Sequence, residues 1–122
     1  MNKCMIIGNL TRDPELRQTD TGIPVCTITV AVNRKKSANN NQPEADYFRV
    51  TAWRVLGENC SKYLAKGKKV AVYGPVTARA YIGNDGSAHA ALEMVADEIE
   101  FLTPKGDGFA ETSTDELPEQ FR

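Results

Sequence analysis

Between Asp46 and Val55 the chain alternates with a period of two. Phe48, Val50 and Ala52 fall on one parity; Tyr47, Arg49, Thr51 and Trp53 fall on the other. Residues two apart on a β-strand project from the same face, so this stretch fits a strand with one greasy side and one side of rings and cationic charge. A second alternation runs from Val25 to Asn33, setting Cys26, Ile28, Val30 and Val32 against Thr27, Thr29, Ala31 and Asn33. Two half-buried strands of this kind require a sheet whose inner face is covered and whose outer face stays polar.

The remaining elements are arranged around these two. Lys3 to Asn9 reads as a first strand, apolar enough to be expected under cover on both faces. After Asp13-Pro14, Glu15 to Gln18 reads as a short continuation, and Asp20-Thr21-Gly22 supplies turn residues. Arg34 to Ala45 is polar and rich in asparagine, with Pro43 near its end, and is expected to form a long exposed loop. From Leu56 to Lys66 the period changes: Leu56, Cys60, Tyr63 and Leu64 form one helical stripe, Gly67 is placed to end it, and Lys62 and Lys66 suit the negative end of the helix dipole. Val70 to Tyr81 returns to strand. Gly74-Pro75 lies inside it, where a bulge or an unpaired edge is expected because proline cannot donate to a ladder. Gly83-Asn84-Asp85-Gly86 reads as a hairpin turn and Ala88 to Leu102 as the last strand. The order of three strands, one helix and two strands lacks the alternating helices of a parallel sheet. It predicts an all-β OB-fold, a five-stranded, partly open Greek-key barrel with its helix between strands 3 and 4, in preference to a generic α+β domain.

Charge divides the chain. Residues 1–104 carry 13 Lys and Arg against 11 Asp and Glu, whereas residues 105–122 carry 2 against 5. The expected organisation is therefore a mildly basic domain over 1–104 and a short acidic tail over 105–122. The tail has too few apolar residues to bury and is expected to be disordered. No apolar run approaches the ~20 residues of a membrane helix, and the N-terminus lacks a secretory pattern. Cys4, Cys26 and Cys60 lack metal-type spacing and sit where apolar residues would serve. They read as free thiols in a reducing compartment, the cytoplasm.

Catalytic chemistry finds little here, so no enzyme, catalytic residue, metal or cofactor is expected. His89 is the single histidine, beside a hairpin turn. Gly67-Lys68 is no phosphate loop, because Lys62 stands where that loop requires glycine. Glu98 and Glu100 share a strand face and are explained by a solvated edge. Binding is better supplied. Tyr47, Trp53 and Tyr81 are candidate stacking rings for bases, with Arg49 and Arg79 on their faces and Arg34, Lys35 and Lys36 as further phosphate partners. The competing reading of the rings is core or oligomer contact. The apolar parity of Phe48, Val50 and Ala52 argues against core, because it directs Tyr47 and Trp53 the other way.

Four segments occur in the order and spacing of the bacterial-type single-stranded DNA-binding proteins. They are Asn2 to Arg17, with Gly8-Asn9-Leu10 and Asp13-Pro14-Glu15; Ile28 to Asn33; Asp46 to Trp53; and Tyr63 to Gly67. The body of the chain, about Met1 to Pro104, resembles that family. The resemblance implies an OB-fold homotetramer that wraps single-stranded DNA in replication, recombination and repair, without strong sequence preference and without a cofactor. By position, Tyr47, Trp53 and Tyr81 match the family's stacking aromatics, and Arg49 and Arg79 match basic positions near the bound strand. Lys36 departs from the pattern, standing where many members carry an aromatic.

The tail departs as well. Family tails end in an acidic cluster followed by Pro-Phe, which partner proteins read. Here Asp115, Glu116, Leu117 and Pro118 keep the approach, but Glu119 and Gln120 precede Phe121 and Arg122 ends the chain. Recruitment of replication and repair proteins is the implied role of this displaced tip, and a phage or mobile-element copy with fewer host partners is one account of it. The alternatives are a related primosomal or strand-annealing factor and an OB module used for protein contact or oligosaccharide binding without coating DNA.

Overall fold

The computed structural model describes residues 1–35 and 44–103. The elements in order are β1 (Cys4–Leu10), β2 (Glu15–Gln18), β3 (Pro24–Asn33), β4 (Ala45–Trp53), α1 (Arg54–Tyr63), β5 (Lys69–Gly74), β6 (Val76–Ile82), β7 (Ala88–Val95) and β8 (Glu98–Phe101). Most of the Asn-rich loop with Lys36, and the tail with Asp115, Glu116, Leu117, Pro118 and Phe121, lie outside the described residues.

One sheet runs β6-β7-β4-β3-β1-β5-β8, with β2 paired to β3. Its two ends are joined by the chain itself, since β5 continues into β6 through Pro75 and β7 into β8 through Ala96 and Asp97. The joint is hydrogen-bonded. Val95 N donates to Pro75 O at 3.3 Å, Asp97 N to Tyr73 O at 2.8 Å, and Ala96 N to Thr51 O at 2.9 Å. Those bonds curl the sheet into the barrel. β4 and β7 run parallel, whereas the other pairings among the described residues are antiparallel, the Greek-key signature of an OB-fold. Two N-terminal side chains reach the same joint. Asn2 exchanges hydrogen bonds with the Val76 backbone, and Lys3 pairs with Asp97.

The parity rule holds for the two alternating strands. Ile28, Val30, Val50 and Ala52 point inward and are buried with Ile6, Leu10, Val70, Val72 and Met94. Each large aliphatic in such a core contributes about 1.5–3 kcal/mol through lost water contact. The helix closes one end, placing Cys60 and the following Leu64 against this cluster. Gly57 permits the close approach: a Cβ there would lie 2.4 Å from Ala52 O and 3.1 Å from Cys26 N.

Four expectations change. Within a single chain β1 is covered on one face only: Ile6 and Leu10 face the barrel interior and are buried, while Met5 and Ile7 are 68% and 51% exposed. The fifth strand is interrupted at Ala96-Asp97, where the barrel bends, as the fourth is at Pro75, where the missing donor predicts an irregularity. The helix spans Arg54–Tyr63 rather than 56–66; Leu64 is already extended, and Gly67 (φ +90) serves a turn after the helix in which Lys68 N donates to Ala65 O. Tyr63 leaves the buried stripe and packs at its rim near Phe101, ring centroids 6.3 Å apart. Cys26 and Cys60 are buried free thiols and Cys4 is half-buried.

Candidate nucleic-acid interface

The outer parity of β4 carries the candidate site. Tyr47 is 60% and Trp53 43% exposed, and Arg49 between them faces solvent. The rings stand six positions apart, about 20 Å along a strand, so each must meet a different nucleotide. Their lateral neighbours are small: Ala31 pairs with Tyr47, Thr29 with Arg49 and Thr27 with Thr51. Low side chains on β3 flank Tyr47 and Arg49, whereas Trp53 pairs with Val25, which is fully buried.

On the other flank, β7 places Glu93 opposite Arg49 and Val95 opposite Thr51. The β6–β7 hairpin extends this surface with Thr77, Arg79 and Tyr81 set against Glu93, Ala91 and His89. Tyr81 is 48% exposed and stacks on His89, with centroids 5.4 Å apart and ring planes 24° from parallel. The turn supports that pair: Ser87 Oγ lies 2.9 Å from His89 Nε2 and donates to Asp85 Oδ1 at 2.6 Å. The Ser87 hydroxyl and amide hold the Asp85 carboxyl below the usual aspartate range. Gly86, at φ +83, forms the tight bend.

The candidate cations differ in their surroundings. Arg49 has no ion-pair partner among the described residues. Arg79 Nη2 donates to Glu93 Oε2 at 2.9 Å. Arg34 binds Asp46 and Glu44, and Lys35 is exposed. Three neighbours of the rings were not singled out from sequence: Glu93, His89 as the ring beside Tyr81, and Arg17, which pairs with Val25, itself the partner of Trp53. Alternation would have put His89, Ala91, Glu93 and Val95 on one face. Only the parallel pairing of β7 with β4 identifies that face as the one carrying Tyr47 and Trp53.

Among the described residues, no group of three His, Cys, Asp or Glu could hold a metal ion, and no helix is long and apolar enough to cross a membrane.

These features define a small OB-fold with an open aromatic and cationic sheet face. The Single-strand binding protein family matches residues 1–102, and the chain belongs to that family, whose members are binding proteins rather than enzymes. It is 40% identical over 124 residues to a single-stranded DNA-binding protein of Caldanaerobacter subterraneus subsp. tengcongensis, covering 99% of this chain and 83% of that one. It is 42% identical over 105 residues to single-stranded DNA-binding protein 2 of Listeria monocytogenes, covering 86% of this chain and 66% of the relative. The crystal structure of a small single-stranded DNA-binding protein from Streptomyces coelicolor superposes with a TM-score of 0.70 at 25% identity, covering 81% of this chain and 92% of the other.

Proposed function

We propose that this protein binds and protects single-stranded DNA with little regard to sequence, in replication, recombination and repair. The supporting observation is the exposure of Tyr47, Trp53 and Tyr81 beside Arg49 on one continuous sheet face. Rings stack on any base, each contributing ~1–3 kcal/mol, while cations neutralise the phosphates. Arg49, Arg79, Arg34, Lys35 and Lys36 are the proposed phosphate partners, and the acidic tail around Asp115 to Phe121 is the proposed contact for replication and repair proteins. The buried free thiols suit the bacterial cytoplasm.

The protein acts as a homotetramer in this reading. Met5, Ile7, Tyr73 and Leu102 line an apolar groove of about 380 Å³ on the outer face of β1, β5 and β8. β1 also pairs with β3 only at Asn9 and Leu10, which leaves an edge for a second copy. Light scattering that reports a monomer would reject the assembly, and Ile7→Asp is expected to reduce it.

The decisive experiment is a titration with oligo-dT followed by Trp53 emission at two salt concentrations. Quenching that salt reverses is expected, and Trp53→Ala should weaken binding by about 1–3 kcal/mol when followed by anisotropy of labelled DNA. No binding by either method would leave the protein-contact reading in its place.

A further inference from the structure

Glu93 is a carboxylate on β7 that stands opposite one candidate phosphate partner and is hydrogen-bonded to another. It lies opposite Arg49 on β4 and opposite Thr77 on β6. Its Oε2 accepts from Arg79 Nη2 at 2.9 Å. Arg79 is the diagonal neighbour across the hairpin, paired in register with Ala91. Diagonal neighbours in a sheet are within reach of long side chains, and the short Ala91 leaves the guanidinium room to cross. The pair remains accessible, with side-chain exposures of 64% and 34%.

We infer that Glu93 acts as a built-in competitor for the DNA backbone, occupying Arg79 in the free protein and having to yield it when a phosphate arrives. This rests on the reading of the face as a single-stranded DNA site. A carboxylate and a phosphodiester present the same kind of anionic oxygen to a guanidinium, so the two exclude each other at Arg79 Nη2. The displaced carboxylate stays beside the incoming strand and repels it. Exposed ion pairs are weak, so Glu93 does not block binding; it lowers affinity and hastens release. It also flattens the salt dependence. A phosphate neutralised by Arg79 sheds its counterion, while the freed Glu93 becomes a new site for a cation from solution.

The test compares wild type, Glu93→Gln and Glu93→Ala for oligo-dT affinity and dissociation rate over a series of salt concentrations, with thermal melts as the folding control. Both variants are expected to bind roughly threefold to tenfold more tightly at low salt. They should release DNA more slowly and steepen the plot of log K against log salt by up to about one unit. The same substitution made in an Arg79→Ala background should lose most of that gain. Glu58→Gln, away from this face, should leave affinity unchanged. Wild-type binding with no gain on removing the Glu93 charge overturns the competitor role alone, as does a full gain without Arg79. Failure of the wild type to bind overturns the DNA-binding reading itself and this inference with it.

Discussion

Arg34 and Asp46 clasp each other at the neighbouring ends of β3 and β4. Arg34 Nη2 donates to Asp46 Oδ1 at 2.7 Å, and Nε donates to both carboxylate oxygens at 3.1 and 3.2 Å. The Arg34 backbone N–H also donates to Glu44 O at 2.9 Å. The two chain positions that flank residues 36–43 are therefore held together by a two-point contact.

That contact holds the Asp46 carboxyl below its ordinary range, through the guanidinium hydrogen bonds first and charge attraction second. A carboxylate whose pKa is lowered by folding stabilises the fold above its unfolded value, and the contribution is lost as pH falls through the folded one. Asp46 is expected to titrate below the ordinary aspartate range in an NMR titration and to return to it in Arg34→Ala. Ordinary titration in the wild type would contradict the clasp.

Tyr81 and His89 should act as a unit. Cross-strand ring pairs contribute about 0.5–1.5 kcal/mol beyond area burial, so His89→Ala is expected to free the Tyr81 ring and weaken oligo-dT binding roughly twofold to tenfold. His89→Phe should restore most of it. Equal affinity for all three proteins would separate His89 from the site.

Gly57→Ala is expected to destabilise the fold by about 2–4 kcal/mol in urea denaturation, since the new methyl meets the Ala52 carbonyl and its strand rather than a flexible side chain. Alanine's higher helix propensity recovers only about 1 kcal/mol of that loss. A variant as stable as the wild type would show that α1 can move away from β3 and β4.

Arg54 has φ +62 and is the one non-glycine residue at positive φ among the described residues. Side chains there cost about 1–2 kcal/mol, partly offset in glycine by its greater loss of freedom on folding. Arg54→Gly is expected to raise stability by about 0.5–1 kcal/mol, whereas Arg54→Ala keeps the strain and gains nothing. Denaturant midpoints of the two variants decide it.

The thiols should be unequal. Burial pushes Cys60 up to about 12, with Cys26 adding to the effect, and burial followed by the Glu15 charge raises Cys26. The thiolate is the reactive form. At pH 8 a disulfide reagent is expected to label only half-buried Cys4 in the native protein and all three cysteines in denaturant. Fast labelling of Cys60 without denaturant would mean that the helix end opens readily.

The legibility of this chain followed the range of the forces involved. Phe48, Val50 and Ala52 against Tyr47 and Trp53 could be read directly, because side-chain alternation is a local property of a strand. The hairpin at Gly83 to Gly86 and the break at Pro75 were equally local, set by backbone freedom and a missing donor. Met5 and Ile7 misled, since apolar character does not say whether a neighbour covers a side chain. Tyr63 keeps its helical spacing from Leu56, but it is the last residue of α1 and lies at the rim beside Phe101 rather than over the core.

The sequence by itself determined the strand and helix order, the parity of β3 and β4, and the family motifs from Gly8 to Glu15. These depend on residues adjacent along the chain. Only the tertiary structure decided that β7 lies parallel to β4, that Glu93 therefore stands opposite Arg49 and takes Arg79, and that His89 meets Tyr81. Hydrogen-bond register joins residues more than forty positions apart in the β4–β7 pairing. A ladder shifted by one residue would keep much of the same local pattern while turning the opposite side chains to the surface.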